Sequence, residues 1–460
     1  MKVVICGAGQ VGSTIARQLA REGMHVTVID ADPDQVRRVD ESYEVRGILG
    51  HASHPRILER AGADDADLLI AVTRSDEVNM VSCQVAYSLF NVKRRIARLR
   101  HTGYITPVRE GLYAAEHLPI DVIIAPELEI AESIFRRLKT PGSFDMQTLG
   151  DGRLQLIGVH CDEGAEIIGE RYLELYKRSP FDGAAFLVLF RDGVAQFPTM
   201  QETVRADDDV YVVVPSDRTK EVLHCFGHRE HAARKLTIVG GGNVGLHLAR
   251  KLAREAPEVA VRMIEFGKER AEYIARELGE AAIVLHGDAL ESEVLEDAQV
   301  GAAETIIAVT DDDETNIFVS VLARRLGCPR AITLVNKRSY EPLLPALGLY
   351  TVVSPSATTI STVLRHVRSE AVHALHTLRG DFGEVVEVTL GEKSPLAQRV
   401  LRDVNIPAGI LLGPVLRDDE LIIPRPETQL AAGDRVVAVV EYYALKRAET
   451  LFAGRKGLLG

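Results

Sequence analysis

Short runs of apolar residues alternate with longer amphipathic segments over the first hundred positions of the chain. Val3, Val4 and Ile5 precede a glycine-rich turn, and residues 11–22 then place apolar side chains at helical spacing. Further apolar runs, each short enough for one strand, occupy residues 26–30, 45–49, 68–72 and 95–99. Continuous apolar strands separated by helices are typical of a parallel sheet covered on both faces. The pattern therefore predicts an α/β fold built on a Rossmann-type, doubly wound parallel sheet.

The second half of the chain repeats this pattern. The turn glycines recur in the same order 233 positions later, as Gly7 with Gly240, Gly9 with Gly242 and Gly12 with Gly245. Farther along, LLIAVTRSDEVN at 68–79 matches TIIAVTDDDETN at 305–316, at an offset of 237. Because these anchored positions keep their order, one module is present twice.

Each Rossmann-type module is followed by a segment in which strand patterns alternate with turn signals, which predicts a small α+β domain. FRDGVAQFP at 190–198 matches LRDDELIIP at 416–424 at an offset of 226. Residues 209–214 align with 434–439 at an offset of 225, which puts the aspartates at 207–209 in place of a glycine-containing turn at 432–434. The predicted domains are Rossmann-type domains at 1–124 and 233–352, crossover helices or linkers at 125–142 and 353–370, and C-terminal α+β domains at 143–228 and 371–454.

Composition and charge narrow the class of protein. The 460 residues are 46% apolar and 26% charged, which is typical of folded domains, and the net charge of −12 argues against a nucleic-acid binder. No apolar stretch approaches the roughly 18 residues of a membrane-spanning helix. The first residues run directly into the glycine turn without the apolar core of a signal peptide. We therefore expect a cytoplasmic protein.

The five cysteines include no CxxC pair, which favours reduced thiols over a disulfide framework. His224, Cys225, His228 and His231 form a weak metal-ligand candidate just before Arg234, in a segment interpreted as an inter-domain linker. Zinc ligands usually recur in tighter, paired spacings, so a solvated linker is the favoured interpretation and no metal site is predicted.

The segment Gly7-Ala8-Gly9-Gln10-Val11-Gly12 has the GxGxxG pattern between a strand and a helix. Its first glycine permits the tight turn, the second lets a pyrophosphate approach the backbone, and the third lets the helix pack against the strand. Peptide N–H groups at the helix N-terminus then face the phosphate charge. A tight turn that binds no ligand is the alternative.

Asp30 lies 18 positions beyond Gly12, at the end of the next predicted strand. A carboxylate there accepts hydrogen bonds from ribose hydroxyls and repels a 2′-phosphate, so NAD(H) is favoured over NADP(H). We expect Asp30 to serve the ligand alone, so that its replacement leaves the turn intact.

The second glycine turn, Gly240-Gly241-Gly242-Asn243-Val244-Gly245, is followed by Glu265 and by Lys268, whose charge makes the NAD preference less clear. An adenine nucleotide is the favoured ligand, and an empty structural site is the alternative. Other candidates follow the later strands, where ligands of open α/β sheets bind. In the first copy they are His51, Ala52, Thr73, Arg74 and Arg98, and in the second copy Asp288, Thr310 and Asp311. Because basic or polar residues become acidic in the second copy, we expect the two sites to respond differently.

The small domains offer no catalytic constellation. A dehydrogenase needs a proton-transfer residue facing the nicotinamide, yet His160 stands alone in a strand pattern. Neither small domain contains a nucleophile elbow, a metal-ligand helix or a P-loop. We predict no catalytic residues and interpret the duplication as a binding and coupling device.

Taken together, the motifs resemble the TrkA family, the peripheral NAD-binding subunits of bacterial Trk potassium uptake systems. The resemblance rests on GAGQVG with VID, on GHASHPRILERAGADDADLLIAVTRSDEVNMVSCQVAYSLFN at 50–91, on RIARLR at 95–100, and on GGGNVG with AVTDDDETN in the second half. It covers essentially the whole chain as two tandem RCK (regulator of conductance of potassium) modules.

The resemblance implies a regulatory subunit that is not an enzyme. It implies a homo-oligomeric, tetrameric ring beneath a membrane-embedded potassium-translocating subunit, gated by NAD(H), ATP or ADP, at the inner face of the membrane. An NAD-dependent oxidoreductase and a regulator of another cation transport system are the alternatives. The nucleotide-contacting residues that it implies are Gly7, Ala8, Gly9, Gln10, Val11, Asp30, His51, Ala52, Thr73, Arg74 and Arg98 in the first copy, and Gly240, Gly241, Gly242, Asn243, Val244, Glu265, Asp288 and Thr310 in the second.

Overall fold

The computed structural model describes residues 1–42, 44–105, 111–367, 372–379 and 382–454. Within these residues, two parallel sheets alternate along the chain with two antiparallel sheets. The predicted fold class, Rossmann-type domains each followed by a small α+β domain, is confirmed. Parts of the predicted domain ranges lie outside the described residues, namely residues 43, 106–110, 368–371, 380 and 381.

The first Rossmann-type domain alternates short buried strands with amphipathic helices. Its elements are β1 (Lys2–Cys6), α1 (Gln10–Arg21), β2 (His25–Asp30), α2 (Pro33–Ser42), β3 (Arg46–Leu49), α3 (Pro55–Arg60), β4 (Leu68–Ala71), α4 (Asp76–Phe90), β5 (Arg94–Arg98), α5 (Thr102–Ile105) and β6 (Val122–Ile124). The strands are parallel, in the order β3-β2-β1-β4-β5-β6. All of β4 is buried because helices cover both faces of the sheet. The carboxyl ends of β1, β2, β4 and β5 consequently share one edge.

A long helix and the first antiparallel domain follow. They comprise α6 (Pro126–Lys139), β7 (Ser143–Leu149), β8 (Leu154–His160), α7 (Tyr172–Leu175), β9 (Ala185–Arg191), β10 (Val194–Gln196), β11 (Asp209–Pro215) and α8 (Thr219–Cys225). The strand order is β10-β9-β11-β8-β7. We call this sheet and its helices the first C-terminal domain.

The second module repeats both layers. Its Rossmann-type part contains β12 (Lys235–Val239), α9 (Asn243–Glu255), β13 (Ala260–Glu265), α10 (Lys268–Leu278), β14 (Ala282–His286), α11 (Ser292–Asp297), β15 (Thr305–Ala308), α12 (Asp313–Arg325), β16 (Ala331–Leu334) and β17 (Thr351–Val353). The long helix α13 (Pro355–Val367) leads to the second C-terminal domain, with β18 (Val372–Thr377), β19 (Gly383–Thr389), α14 (Pro395–Gln398), β20 (Ile410–Arg417), β21 (Glu420–Ile422), β22 (Arg435–Glu441) and α15 (Leu445–Ala453). The strand orders, β14-β13-β12-β15-β16-β17 and β18-β19-β22-β20-β21, match those of the first module.

The two long helices cross between modules. The described residues of 1–126 form one compact unit with those of 356–460, and residues 127–355 form the other. In the first unit, Ile360 and Val363 of α13 join the core beside Ile15 of α1. In the second unit, Ile134 and Phe135 of α6 join the core of the second Rossmann-type domain. Each Rossmann-type domain is therefore covered by the long helix that follows the other one in sequence.

The last strands of the two C-terminal domains, β11 and β22, correspond at an offset of 226, which corrects the offset of 225 expected from their sequences. Asp208 is buried and bonds through both oxygens to Arg191, at 2.7 Å each, and Asp434 holds Arg417 in the same way at 2.8 and 2.7 Å. Asp207, with φ of +64°, therefore occupies the left-handed position of Gly433. The turn in the first domain therefore has the same shape as the glycine turn in the second, because aspartate is one of the residues that tolerate a left-handed backbone conformation.

Candidate nucleotide-binding sites

The first glycine turn is closed on one side and open on the other. Gly7 has φ of +109° and donates its N–H to the carbonyl of Ile29 at 2.8 Å, which joins the turn to β2. A Cβ on Gly12 would lie 1.8 Å from the Gly7 oxygen, so this position admits only glycine. A Cβ on Gly9 would meet nothing within 4 Å. The sequence predicts that a pyrophosphate binds in the open space at Gly9.

Helix α1 presents its N-terminus to that space. Gly9 is the N-cap residue, no side chain caps it, and the first helical turn carries no acidic residue. The peptide N–H groups at a helix N-terminus concentrate positive potential, which suits a phosphate group. Of the neighbouring candidates, Gln10 is exposed, whereas Ala8 and Val11 are buried. The side chains of Ala8 and Val11 therefore shape the turn, and these two residues offer a ligand only their backbone groups.

Asp30 lies at the carboxyl end of β2, half-buried beside the turn. Its Oδ2 accepts the N–H of Ala8 at 2.5 Å and its Oδ1 accepts the N–H of Asp32 at 2.9 Å. The expectation that Asp30 serves only the ligand is therefore wrong. Its carboxylate also fixes the glycine turn, because the buried N–H of Ala8 uses it as the acceptor.

The remaining first-copy candidates follow β3, β4 and β5 along the same edge. His51 and Arg74 are exposed, Thr73 and Arg98 are half-buried, and Ala52 is buried. The His51 ring bonds through Nδ1 to the Ser53 hydroxyl at 2.8 Å. Exposed Arg74 and half-buried Arg98 provide the guanidinium charge at this edge.

Asn79, which the sequence reading did not assign to the site, organises this edge. Its Oδ1 accepts the N–H and the hydroxyl of Thr73 at 2.9 and 2.7 Å, and its Nδ2 donates to the Arg98 carbonyl at 2.8 Å. Asn316 makes the corresponding bonds to Thr310 and Leu334 in the second copy. The sequence could have indicated this role, since Asn79 and Asn316 occupy equivalent positions in the two copies of the repeat.

The second glycine turn has the same backbone frame. Gly240 has φ of +104° and donates to the Ile264 carbonyl at 2.9 Å, and a Cβ on Gly245 would lie 2.0 Å from the Gly240 oxygen. The position of Gly242 is again open, and no side chain caps the N-terminus of α9, which begins at Asn243 and buries Val244. Glu265 accepts the N–H groups of Gly241 at 2.7 Å and Gly267 at 2.8 Å.

Two contacts distinguish the second turn from the first. Arg270 donates its Nε–H to the Gly241 carbonyl at 2.8 Å, and its guanidinium lies over the Tyr273 ring at 5.2 Å. A Cβ on Gly241 would lie 2.2 Å from the end of the Ile274 side chain, which would have to move to admit an alanine where the first copy has Ala8. Lys268, by contrast, is exposed. The cation that contacts the turn is therefore Arg270, which the sequence reading missed.

The remaining second-copy candidates are acidic or neutral. Asp288 accepts the N–H of Leu290 at 2.9 Å, and Thr310 is held by Asn316. Asp311 is exposed beside Asp312, which caps α12 by accepting the N–H of Thr315 at 2.8 Å. This edge carries negative charge where the first copy carries His51 and Arg74, so the two sites offer phosphates different surroundings.

Among the described residues, no group of three or more His, Cys, Asp or Glu side chains is arranged to hold a metal ion. No described helix combines the length and the apolar character needed to cross a bilayer.

Comparison with known families assigns the chain. The TrkA-N domain family matches residues 3–126 and 236–355, and the TrkA-C domain family matches residues 385–453. The chain belongs to the TrkA family. A curated TrkA relative, the Trk system potassium uptake protein TrkA of Azorhizobium caulinodans, is 40% identical over 452 residues, 98% of each chain. The protein of the same name from Halomonas elongata is 34% identical over 456 residues, again 98% of each chain.

Solved structures share the TrkA-type fold at low sequence identity. The GsuK RCK domain matches with a TM-score of 0.59 and 20% identity, over 99% of this chain and 95% of that one. The GsuK channel bound to NAD matches with a TM-score of 0.59 and 22% identity, over 99% of this chain and 79% of that one. Both comparisons support the two-module RCK architecture.

Proposed function

We propose that this TrkA-family chain is the nucleotide-binding regulatory subunit of a Trk-type potassium uptake system. The observation that carries the proposal is the pair of open, uncapped glycine turns, each beside a carboxylate, in a chain whose full-length relatives are named Trk potassium uptake proteins. In this proposal the nucleotide-binding domains are 1–124 and 233–352, and the C-terminal domains are 143–228 and 371–454.

The first site is proposed to bind NAD(H), with ATP or ADP as competing ligands. The open position at Gly9 and the N-terminus of α1 fit a diphosphate, a unit that all these nucleotides contain. Each oxygen of Asp30 already accepts one N–H and keeps lone-pair capacity for ribose hydroxyls. Arg74 and Arg98 add cationic charge for phosphate. The negative charge of Asp30 disfavours a 2′-phosphate.

The second site is proposed to bind an adenine nucleotide with a different preference. Glu265 takes the place of Asp30, and Arg270 adds a cation against the turn. The acidic edge formed by Asp288 and Asp311 would repel a third phosphate more than the first site does. Two unlike sites let one chain respond to a ratio of nucleotides.

Helix α1 supplies a physical route from the first site to a C-terminal domain. It begins at the glycine turn, and its residues Ile15 and Leu19 share a core with Val386 and Val388 of the second C-terminal domain. Gln18 of the same helix donates a buried hydrogen bond to Glu384. A ligand that shifts α1 would therefore act on that domain, provided that it binds the two arrangements with different affinity.

The partner in this proposal is a membrane-embedded Trk-type potassium-translocating subunit, beneath which the chain forms a homo-oligomeric, tetrameric ring on the cytoplasmic face. Exposed apolar side chains on α4 (Val81, 44%, and Leu89, 62%), on α12 (Phe318, 60%) and at the C-cap of α12 (Leu326, 43%) support subunit contacts.

Light scattering tests the assembly directly. We expect the parent chain to be larger than a monomer at micromolar concentration, and Phe318→Asp to lower the mass because it would bury a charge in an apolar contact. Phe266→Asp is the matched control, since Phe266 is 75% exposed on another surface. A stable parent monomer would refute the assembly.

Potassium flux tests the function. The chain is reconstituted with its membrane subunit in vesicles, and flux is measured across NADH, NAD and ATP titrations. We expect nucleotide-dependent flux that Gly9→Val removes at the first site and that Gly242→Val alters separately. Flux unaffected by nucleotide, at concentrations where calorimetry shows binding, would overturn the regulatory role.

Calorimetry tests the shared site. NADH, NAD and ATP are expected to compete at the first site, because the turn contacts the unit that they share. Saturating NADH that leaves ATP binding to that site unchanged would contradict this expectation.

A further inference from the structure

A cluster of titratable side chains lies away from both glycine turns, at the end of strand β8. His160 ends β8 and pairs in register with Asp209 of β11. Its Nδ1–H donates to Asp209 Oδ1 at 2.7 Å, and its Nε2 lies 3.6 Å from Asp207 Oδ1. Both ring nitrogens thus face carboxylates. The imidazolium form carries a proton on each nitrogen, so it donates to Asp209 and also attracts the Asp207 carboxylate, which lies beyond hydrogen-bond distance.

The same ring contacts the second Rossmann-type domain. His160 stacks on Tyr350, with ring centroids 4.7 Å apart and planes inclined by 26°. Tyr350 immediately precedes β17, which lies next to β7 of the first C-terminal domain. A positively charged ring over an aromatic face is attracted by the ring quadrupole, and a neutral ring much less so. The contact therefore depends on the charge of His160.

The surrounding charges are carboxylates and a second histidine. Asp162 follows the strand, and His228 donates its Nε2–H to the His160 carbonyl at 2.7 Å. His228 Nδ1 lies 3.6 Å from both Asp162 and Glu230. The charges that act on His160 are the carboxylates of Asp209, Asp162 and Asp207, which favour its protonated state, and the nearby cation Arg330 acts on Glu230.

At the corresponding described positions, the second C-terminal domain has no histidine–aspartate pair. Its strand β19 ends at Thr389, which pairs in register with Arg435 of β22, where the first domain pairs His160 with Asp209. The titratable contact therefore belongs to one module only, so it is not a requirement of the repeated fold.

We propose that His160 is a proton-dependent latch that holds the first C-terminal domain against Tyr350 of the second Rossmann-type domain. The hydrogen bond that His160 donates to Asp209, opposed by partial burial and assisted by the charges of Asp209, Asp162 and Asp207, raises the pKa of His160 above its usual 6.5. The contact is fully present below the unfolded pKa, and it is lost as the pH rises through the higher folded pKa. Acid pH therefore closes the latch and alkaline pH releases it.

Because the chain contains no tryptophan, Tyr350→Trp introduces a single indole reporter at the contact. Protonated imidazole quenches indole emission more strongly than neutral imidazole does. We expect emission to rise in one sigmoidal step between about pH 6 and pH 9, with its midpoint above the ordinary histidine value of about 6.5.

Three further variants in the Tyr350→Trp background identify the titrating group. His160→Gln is expected to abolish the step, and Asp209→Asn to lower its midpoint, because the carboxylate that stabilises the imidazolium is gone. His247→Gln, which removes a histidine of α9, is the control and keeps the step. A step that persists in His160→Gln, or a midpoint unaffected by Asp209→Asn, would overturn the proposal.

A double-mutant cycle on the tyrosine-containing chain gives a second measurement. His160→Gln, Tyr350→Ala and the double variant are compared by Tm at about pH 6 and about pH 9. We expect the two substitutions to be coupled at the lower pH and additive at the higher one. Equal coupling at both pH values, or none at either, would show that the stacking does not respond to the proton.

Discussion

A single carboxylate illustrates how a residue can serve both ligand and fold. The position of Asp30 at the end of β2 predicts a ribose acceptor, and its two bonds to Ala8 and Asp32 add a structural role. Glu265 does the same with Gly241 and Gly267, although its side chain is one methylene longer. Both turns are thus held by side-chain carboxylates.

Asp30→Ala should weaken NADH binding and also lower stability. Loss of hydrogen bonds to a charged group costs about 1.5–3 kcal/mol, or roughly one to two orders of magnitude in affinity. The buried N–H of Ala8 loses its acceptor, which should lower the free energy of unfolding by about 1–2 kcal/mol without ligand. Calorimetry and thermal unfolding measure the two effects. Asp32→Ala is the control, and unchanged NADH affinity in Asp30→Ala would refute the ribose assignment.

The turn glycines should separate binding from folding. Gly9→Val places a side chain in open space, so it should block nucleotide binding and change Tm little. Gly12→Ala puts a Cβ 1.8 Å from the Gly7 oxygen, so it should destabilise the fold by several kcal/mol, since backbone atoms would have to move. NADH titration and thermal unfolding of both variants check this contrast. A Gly9→Val protein that binds NADH normally would rule out the proposed pyrophosphate position.

At the scale of the elements, strand ends are fixed by side chains from the following helix. Ser75 caps α4 by accepting the N–H of Val78 at 3.2 Å, and Asn79, one turn further on, ties β4 to β5. Asp76 accepts the N–H groups of Arg100 and His101 at 2.8–3.0 Å. The segment SDEVN thus holds the edge at which the site is built.

Asn79→Ala should lower the free energy of unfolding by about 2–4 kcal/mol, because it removes a buried amide and leaves half-buried groups of Thr73 and Arg98 without this partner. Urea unfolding measures this loss as a lower midpoint concentration of urea, provided that the dependence of the unfolding free energy on urea is unchanged. Ser88→Ala, an exposed change on the same helix, should stay within about 0.5 kcal/mol. Asn316→Ala should cost as much as Asn79→Ala, and a large inequality would contradict the equivalence of the two clamps.

At the scale of the whole molecule, the modules are not independent halves. Helix α13 supplies Ile360, Val363 and Leu364 to the core of the first unit, and α6 covers the second Rossmann-type domain. Lys251 of α9, the counterpart of Gln18, pairs with Glu132 of α6 at 2.7 Å. Each module therefore needs a helix from the other.

Residues 1–232 expressed alone should be unstable as a monomer. Each of the missing α13 side chains is worth about 1.5–3 kcal/mol when buried, and α6 would expose its apolar face. We expect dimers or larger species by light scattering, with a lower Tm than the intact chain. Co-expression with residues 233–460 should give a complex that unfolds near the intact chain. A monomeric half with the Tm of the intact chain would show that the helix exchange is dispensable.

Local patterns were enough for much of this protein. Apolar periodicity identified the parallel sheets, the constant glycine offset identified the duplication, and the acids that end β2 and β13 identified the candidate sites. Strands, turns and helices follow from the spacing of residues close in sequence, and the duplication follows from comparing the two halves of the chain. Even the aspartate turn at 207–209 follows the repeat once Asp208 is aligned with Asp434 through its arginine partner.

Tertiary structure alone decided which distant segments meet. Three examples are the crossing of α6 and α13, the contact of Arg270 with Gly241, and the stacking of His160 on Tyr350. In each, no repeating pattern in the sequence indicates that the two partners meet. An amphipathic helix specifies that its apolar face is buried, not which of two similar sheets buries it. That choice depends on the fit and burial of whole surfaces, which form only when the chain is folded.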